Sequence, residues 1–276
     1  MTAVPRSVLF VPGGRPDMVA KVPRWAPDAV AVDLEDAVAA ADKDSARTSA
    51  VTAVGELPAS STLVLIRVNP PGTPWHADDV AAAADSAAGG IVLPKLEEPG
   101  QVDALRDRLA AAGRGDMALV AGVETARGVA RCRSLLDHEG VLAGYFGAED
   151  YIASVGGRRT ARGDEVLFAR SEVVLAARLA GVGALDQVVV AVGDTGAFDA
   201  DAARGRDLGY DGKMCIHPGQ VGRAHTAFTP SDDEVAHARR VVEAGRSGVG
   251  TVDGEMVDDV HLRIAASVLA RAGVDA

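Results

Sequence analysis

Eight times along the chain a short apolar run is followed by a loop carrying polar groups and then by an alanine-rich stretch of helical character. The runs are Ser7-Val8-Leu9-Phe10-Val11, Ala29-Val30-Ala31-Val32, Leu63-Val64-Leu65-Ile66, Ile91-Val92-Leu93, Leu119-Val120-Ala121-Gly122-Val123, Val141-Leu142-Ala143-Gly144-Tyr145, Val188-Val189-Val190-Ala191-Val192 and Lys213-Met214-Cys215-Ile216. They are continuous rather than alternating, as expected of strands buried on both faces in a parallel sheet flanked by helices. Eight such units in about 250 residues predict a (β/α)8 TIM barrel over an open doubly wound sheet. No GxGxxG or GxxxxGK[ST] pattern follows a run, which weakens a nucleotide-fold reading.

The intervening stretches carry helix signals. A helix is predicted over residues 15–25, with Pro16 in its first turn. Leu105, Leu109 and Ala112 recur at helical spacing before a stop at Gly113. The longest pattern covers residues 165–179, with Val166, Ala169, Val173, Ala176 and Ala177 on one side and Gly181 as its end. Residues 232–245 read as the eighth helix. The expected division is therefore a barrel over residues 1–247 and a C-terminal helical extension over 248–276, amphipathic through Val260, Leu262, Ile264, Ala265, Val268 and Leu269.

Composition narrows the function classes. The 276 residues, 48% of them hydrophobic, suffice for one large core. A net charge of −11 repels phosphate backbones and anionic lipid surfaces, so nucleic acid and membrane are not expected partners. No run approaches the roughly 18 apolar residues of a membrane span. Cys132 and Cys215 are too few for a disulfide framework and read as small buried hydrophobes. With no charged segment leading into a long apolar one at the N-terminus, the expected location is cytoplasmic.

In a barrel of this type the C-terminal strand ends form the catalytic face. Here they end on acid after acid: Asp33-Leu34-Glu35-Asp36 on strand two, Glu124 on strand five, and Glu149-Asp150 behind strand six. Converging carboxylates repel one another and lose solvation, so a cation is expected among them. Carboxylate oxygens without a thiolate or histidine cluster favour magnesium over zinc. Glu124 and Asp150, on successive strands, are the candidate metal ligands. Glu149 reads as a supporting or capping residue. Arg67, on strand three, either neutralises the nearby acids or forks a substrate carboxylate. Lys95, on strand four, either forms a Schiff base or balances the charge of Asp33, Glu35 and Asp36. The Gly/Arg-rich loop over residues 156–163 is a candidate binding loop.

Arg6-Ser7-Val8-Leu9-Phe10-Val11-Pro12-Gly13, Asp33-Leu34-Glu35-Asp36-Ala37-Val38, Arg67-Val68-Asn69, Leu93-Pro94-Lys95, Glu124-Thr125-Ala126, Gly147-Ala148-Glu149-Asp150 and Cys215-Ile216-His217-Pro218 occur in that order. The series resembles the citrate lyase beta subunit-like CoA-ester lyases of the HpcH/HpaI aldolase superfamily, relatives of the malyl-CoA and citramalyl-CoA lyases. The resemblance implies magnesium-dependent cleavage or formation of a 3-hydroxyacyl-CoA thioester, with an acetyl-CoA-type product and a 2-oxo acid. It implies Glu124 and Asp150 as Mg2+ ligands, Arg67 as oxo-acid ligand, and backbone donors at Gly147 and Ala148.

The resemblance also implies an acid–base group in the segment Asp253-Gly254-Glu255-Met256-Val257-Asp258, with Asp258 reaching a neighbouring subunit's site in a homo-oligomer, a trimer or a multiple of it. Asp259 follows where such chains have a small or apolar residue, which leaves two candidate acids. Ala191 stands about where they often carry an acid at the end of strand seven, with Asp194 near by. Arg158, Arg159 and Arg162 are candidates for the CoA phosphates, and His217 for the mouth of the site. A thioesterase on the same fold and a non-catalytic subunit of a citrate lyase-type complex are the alternatives.

Overall fold

Strands β1 (Ser7–Pro12), β2 (Ala29–Asp33), β3 (Leu63–Arg67), β4 (Gly90–Leu93), β5 (Ala118–Val123), β6 (Val141–Phe146), β7 (Gly183–Asp186) and β8 (Gly212–Cys215) form a closed parallel barrel in the computed structural model. The structure describes residues 4–245 and 250–274. Helices α1 (Pro16–Val19), α2 (Lys43–Gly55), α3 (His76–Asp85), α4 (Pro99–Ala111), α5 (Ala126–Leu136), α6 (Ala148–Val155), α7 (Asp164–Ala180) and α8 (Thr195–Leu208) lie between successive strands, and α9 (Val221–Phe228) follows β8. This is the (β/α)8 barrel expected from the repeated unit.

The barrel interior shows why the runs are apolar on both sides. Val8, Ala29, Ala31, Leu65, Val92, Val120, Ala143, Tyr145, Leu185 and Met214 pack as one cluster, so every strand supplies an inward residue. Their neighbours in sequence face the helices. Two residues further along, the same inward parity reaches Asp33 from Ala31 and Arg67 from Leu65. Two steps along β5 it reaches Glu124 from Val120. The acids thus belong to the upper layer of the barrel interior.

Local chemistry sets the element ends. Gly181, at φ +70°, ends α7 in a left-handed turn, as expected. Thr125 caps α5 by accepting from the Gly128 amide. The helix predicted over residues 15–25 divides into α1 and a 3-10 turn at Val22–Arg24, because Pro23 has no N–H for a continuous ladder.

The seventh strand departs from expectation. β7 is Gly183–Asp186, not the valine-rich run at 188–192, which is irregular and leaves Val190 and Val192 about half exposed. Only the residues directly after the α7 turn pair with β6 and β8, and ladder position overrides β-propensity. Asp194 caps α8 by accepting from the Ala197 amide and replaces no strand-end acid. The acid that does end β7, Asp186, has the parity opposite to Leu185 and is fully buried against Arg170 and Lys213.

The chain divides into two compact units between His225 and Thr226. In the second, α10 (Asp232–Gly245) packs on α11 (Asp259–Arg271), beside a hairpin of β9 (Gly250–Val252) and β10 (Glu255–Val257). Asp253 and Gly254, at φ +52° and +88°, form its two-residue turn. The core of this unit is Ala238, Val241, Val252, Val257, Ala265 and Leu269. The helix at 232–245 therefore groups with the tail, and the contact boundary lies upstream of the expected 247/248 division.

Candidate active site

Asp33 and Arg67 are register partners on neighbouring strands. Arg67 Nε and Nη2 donate to the two Asp33 oxygens at 2.7 and 2.6 Å. Its Nη1 lies 2.9 Å from Glu35 Oε2, and its guanidinium stacks over Phe10 at 4.4 Å. The guanidinium is buried, a cost that Asp33 more than offsets, so its pKa lies well above the usual value. The fork expected for a substrate carboxylate is thus occupied by Asp33. Of the five N–H groups of a guanidinium, roughly two, one each on Nη1 and Nη2, remain for a ligand.

Lys95 completes the charge cluster. Its Nζ lies 2.8 Å from Glu35, 3.4 Å from Asp36 and 3.4 Å from Asp150. This is the charge-balancing role. The Glu35 ion pair outweighs desolvation and raises the Lys95 pKa above its usual value, opposite to what a Schiff-base amine requires. Lys95 holds φ at +52°, uncommon outside glycine, and its backbone amide donates to Glu124 Oε1 at 3.1 Å. Lys43, which sequence reasoning missed, anchors the strand-two loop by donating to Leu34 O, Glu35 O and Asn69 Oδ1 at 2.8, 2.7 and 2.7 Å. Its signal was a lysine ten residues beyond the acidic strand end.

Glu124 faces the cavity and is almost fully buried, at 2% exposure. Its Oε1 accepts from the Tyr145 hydroxyl and the Lys95 amide, while Oε2 accepts no hydrogen bond among the described residues. Burial, then the neighbouring Glu35 charge, pushes its carboxyl up to about 8. Two glycines make room for it. A Cβ at Gly147 would lie 2.5 Å from Glu124 Cγ and 2.7 Å from Oε2, and one at Gly122 would lie 2.5 Å from Oε1.

Arg67, Glu124, Tyr145 and Gly147 help to line a cavity of about 390 Å3 in the first unit. Asp33, Asp36, Arg67, Glu124, Glu149 and Asp150 give it a polar side, and Phe10, Val188, Val190, Met214 and Ile216 an apolar one. Among the described residues, five carboxylates, Asp33, Glu35, Asp36, Glu124 and Asp150, share three cations, Arg67, Lys95 and Lys43. The open Oε2 of Glu124 and the carboxylate of Asp150 fit a hard divalent cation. Among the described residues no three His, Cys, Asp or Glu side chains converge as a ready cage. Magnesium needs none, since it is commonly held by one or two carboxylates with water and substrate filling the remaining positions.

The other predicted residues fall into place unevenly. The Gly147 amide already donates to Val123 O at 3.1 Å, so it is not a substrate donor; Gly147 contributes space instead. Ala148 opens α6, and its amide is among those that the helix leaves without an internal partner. Arg159 reaches Gln187 Oε1 at 3.1 Å and Glu149 at 3.4 Å, and Arg162 pairs with Asp164 at 2.6 Å. Arg158 is exposed. His217 caps the turn after β8 by accepting from the Gly219 amide, a framework role. Cys132 and Cys215 are buried, and burial pushes their thiols up to about 11 and about 12. In the second unit Asp258 caps α11, accepting from the Val260 and His261 amides, and lies 2.7 Å from His261 Nδ1. That partner holds its carboxyl below the usual range. Asp259, the first residue of α11, is exposed.

Known proteins match nearly the whole length of the chain. A "Citrate lyase subunit beta-like protein" of Deinococcus radiodurans is 44% identical over 277 aligned residues, covering 97% of each chain. The "(3S)-malyl-CoA thioesterase" of Cereibacter sphaeroides is 33% identical over 97% of this chain and 94% of its own length. Among solved structures, protein CitE from Mycobacterium tuberculosis, in complex with magnesium, acetoacetate and coenzyme A, superposes with a TM-score of 0.84 at 35% identity, covering 99% of this chain and all of that one. The profile of one family spans residues 6–218, from the start of β1 to the turn after β8 and so across the whole carboxylate cluster: the chain belongs to the HpcH/HpaI aldolase/citrate lyase family.

Proposed function

We propose that the chain is a magnesium-dependent carbon–carbon lyase that cleaves or forms a 3-hydroxyacyl-CoA thioester, such as citramalyl-CoA or malyl-CoA, with a 2-oxo acid as one product. The observation that carries this reading is the buried Glu124 carboxyl, with one oxygen fixed and the other open, in the same cavity as Asp150. The CitE structure with magnesium, acetoacetate and coenzyme A supports it. When bound, the ion supplies a fixed positive charge that polarises the oxygens of the oxo-acid half.

The chain's own residues would do the rest. Arg67, through its free Nη1 and Nη2 protons, and the Ala148 amide would bind the oxo-acid carboxylate and carbonyl. Asp33, Glu35 and Lys95 hold Arg67 and the strand ends in place. The apolar wall of Phe10, Val188, Val190, Met214 and Ile216 suits the acyl part of the thioester. In cleavage the 3-hydroxyl would give its proton to solvent water as the carbonyl forms, the C2–C3 pair would move into the thioester enolate, and a second proton would be delivered to the enolate carbon. Asp258 from a neighbouring subunit would deliver that proton, or take it in condensation, in a homo-oligomer, a trimer or a multiple of it.

The purified chain, given citramalyl-CoA, malyl-CoA and related thioesters, should release oxo acid only with magnesium, and Glu124→Ala or Asp150→Ala should abolish it. Activity that survives chelation and both substitutions would remove the metal assignment. A second reading, hydrolysis of the thioester, is favoured by the malyl-CoA thioesterase relative. Free thiol released without oxo acid would select it.

A further inference from the structure

We propose that Tyr145 is a positioning residue for Glu124, holding the carboxyl in the orientation that leaves Oε2 to a divalent cation. The inference rests on the magnesium reading above and goes beyond it, because Tyr145 touches neither substrate nor ion in that reading.

Tyr145 and Gly122 are register partners on β6 and β5, and Glu124 lies two residues beyond Gly122 with the same inward parity. The tyrosine ring is buried at 3% exposure in the barrel-interior cluster with Val120, Leu185 and Met214, so its direction is set by core packing. The hydroxyl donates to Glu124 Oε1 and makes no other hydrogen bond among the described residues. With the Lys95 amide on the same oxygen, two donors from two different strands or strand ends converge there.

The backbone is shaped around this contact. A Cβ at Gly122 would lie 2.8 Å from the Tyr145 hydroxyl as well as 2.5 Å from Glu124 Oε1, so a side chain there would intrude on the pair. A Cβ at Gly147 would press on the opposite oxygen. A free glutamate side chain samples several rotamers about its χ angles. One oxygen held by two donors, with both flanks kept open by glycine, selects one of them. A hydroxyl inside an otherwise apolar barrel core also needs a partner, and Glu124 supplies it.

Isothermal titration of the full chain with MgCl2, for the unaltered protein and Tyr145→Phe at one pH, tests this. Partners that orient metal ligands are typically worth about 10–100-fold in metal affinity. Tyr145→Phe should weaken magnesium by a factor in that range while its melting temperature and near-UV spectrum stay those of the unaltered chain. Tyr145→Met, flexible enough to fill the core and without a donor, provides the same comparison if phenylalanine is not tolerated. Equal magnesium affinity in the unaltered and substituted chains overturns the positioning role and leaves the metal reading standing. No binding to the unaltered chain removes both.

Discussion

Asp33 and Arg67 face each other across the β2–β3 register and meet in a two-point ion pair at 2.7 and 2.6 Å, both buried. Removing one partner leaves the other charge without compensation in a place that water does not reach, at a cost of about 3–5 kcal/mol. Arg67→Ala, which also strips Glu35 of a partner, should lower stability by that amount in urea unfolding as well as lowering turnover. Arg67→Lys should not restore turnover, because an ammonium cannot form the two parallel bonds. An unchanged urea midpoint for Arg67→Ala would show that the pair contributes nothing to the fold.

Gly147 admits the Glu124 side chain rather than donating to a ligand. In Gly147→Ala the new methyl would displace Glu124 at Cγ and Oε2. Magnesium affinity is expected to fall by about tenfold or more, in the range for disturbed support of a metal ligand. Calorimetric titration reads this directly, and an affinity within twofold of the unaltered chain counts against the steric argument.

On the outer side of the barrel, Asp186 is fully buried between Lys213 at 2.8 Å and Arg170 at 2.6 Å. Burial alone would push its carboxyl up; Lys213 and Arg170 outweigh this and hold it below the usual value. The stability it contributes is therefore full above the ordinary aspartate value of about 3.9 and is lost as pH falls through the lower folded value. The unfolding free energies of the unaltered chain and Asp186→Asn should differ by a constant amount from pH 7 to about 5 and converge below about 4. A gap that stays constant into strong acid would show that the pair does not set this limb.

Asp258 caps α11 and is paired with His261, and its proposed catalytic role requires a neighbouring subunit. Chains carrying Arg67→Ala and chains carrying Asp258→Ala, each inactive alone, should regain roughly a quarter of full activity when unfolded together and refolded as mixed oligomers, by random assembly of a ring. Recovery indistinguishable from zero removes the shared site, and the same experiment with Asp259→Ala identifies which acid is used.

Much of the barrel was legible because strand periodicity is local. The apolar runs and the polar residues at their ends are readable from the sequence, whereas the closed barrel decides which parity is interior and so puts Asp33, Arg67 and Glu124 on one face. β7 was not legible. The valine run at 188–192 has the stronger β-propensity, yet Gly183–Asp186 is the segment that the α7 turn delivers between β6 and β8. Tyr145 lies inside an apolar run of the sequence, and the role of its hydroxyl is not legible there because its partner lies on another strand.

The sequence by itself determined the repeated strand–helix unit, the excess of carboxylates at one end of it and the family, since each depends on residue type and short-range spacing. Only the tertiary structure decided that Arg67 grips Asp33, that Lys95 stands among Glu35, Asp36 and Asp150, and that the Gly147 amide belongs to Val123 while its missing side chain admits Glu124. Those pairings depend on the register between strands far apart in the chain and on which side chains compete for the same buried charge.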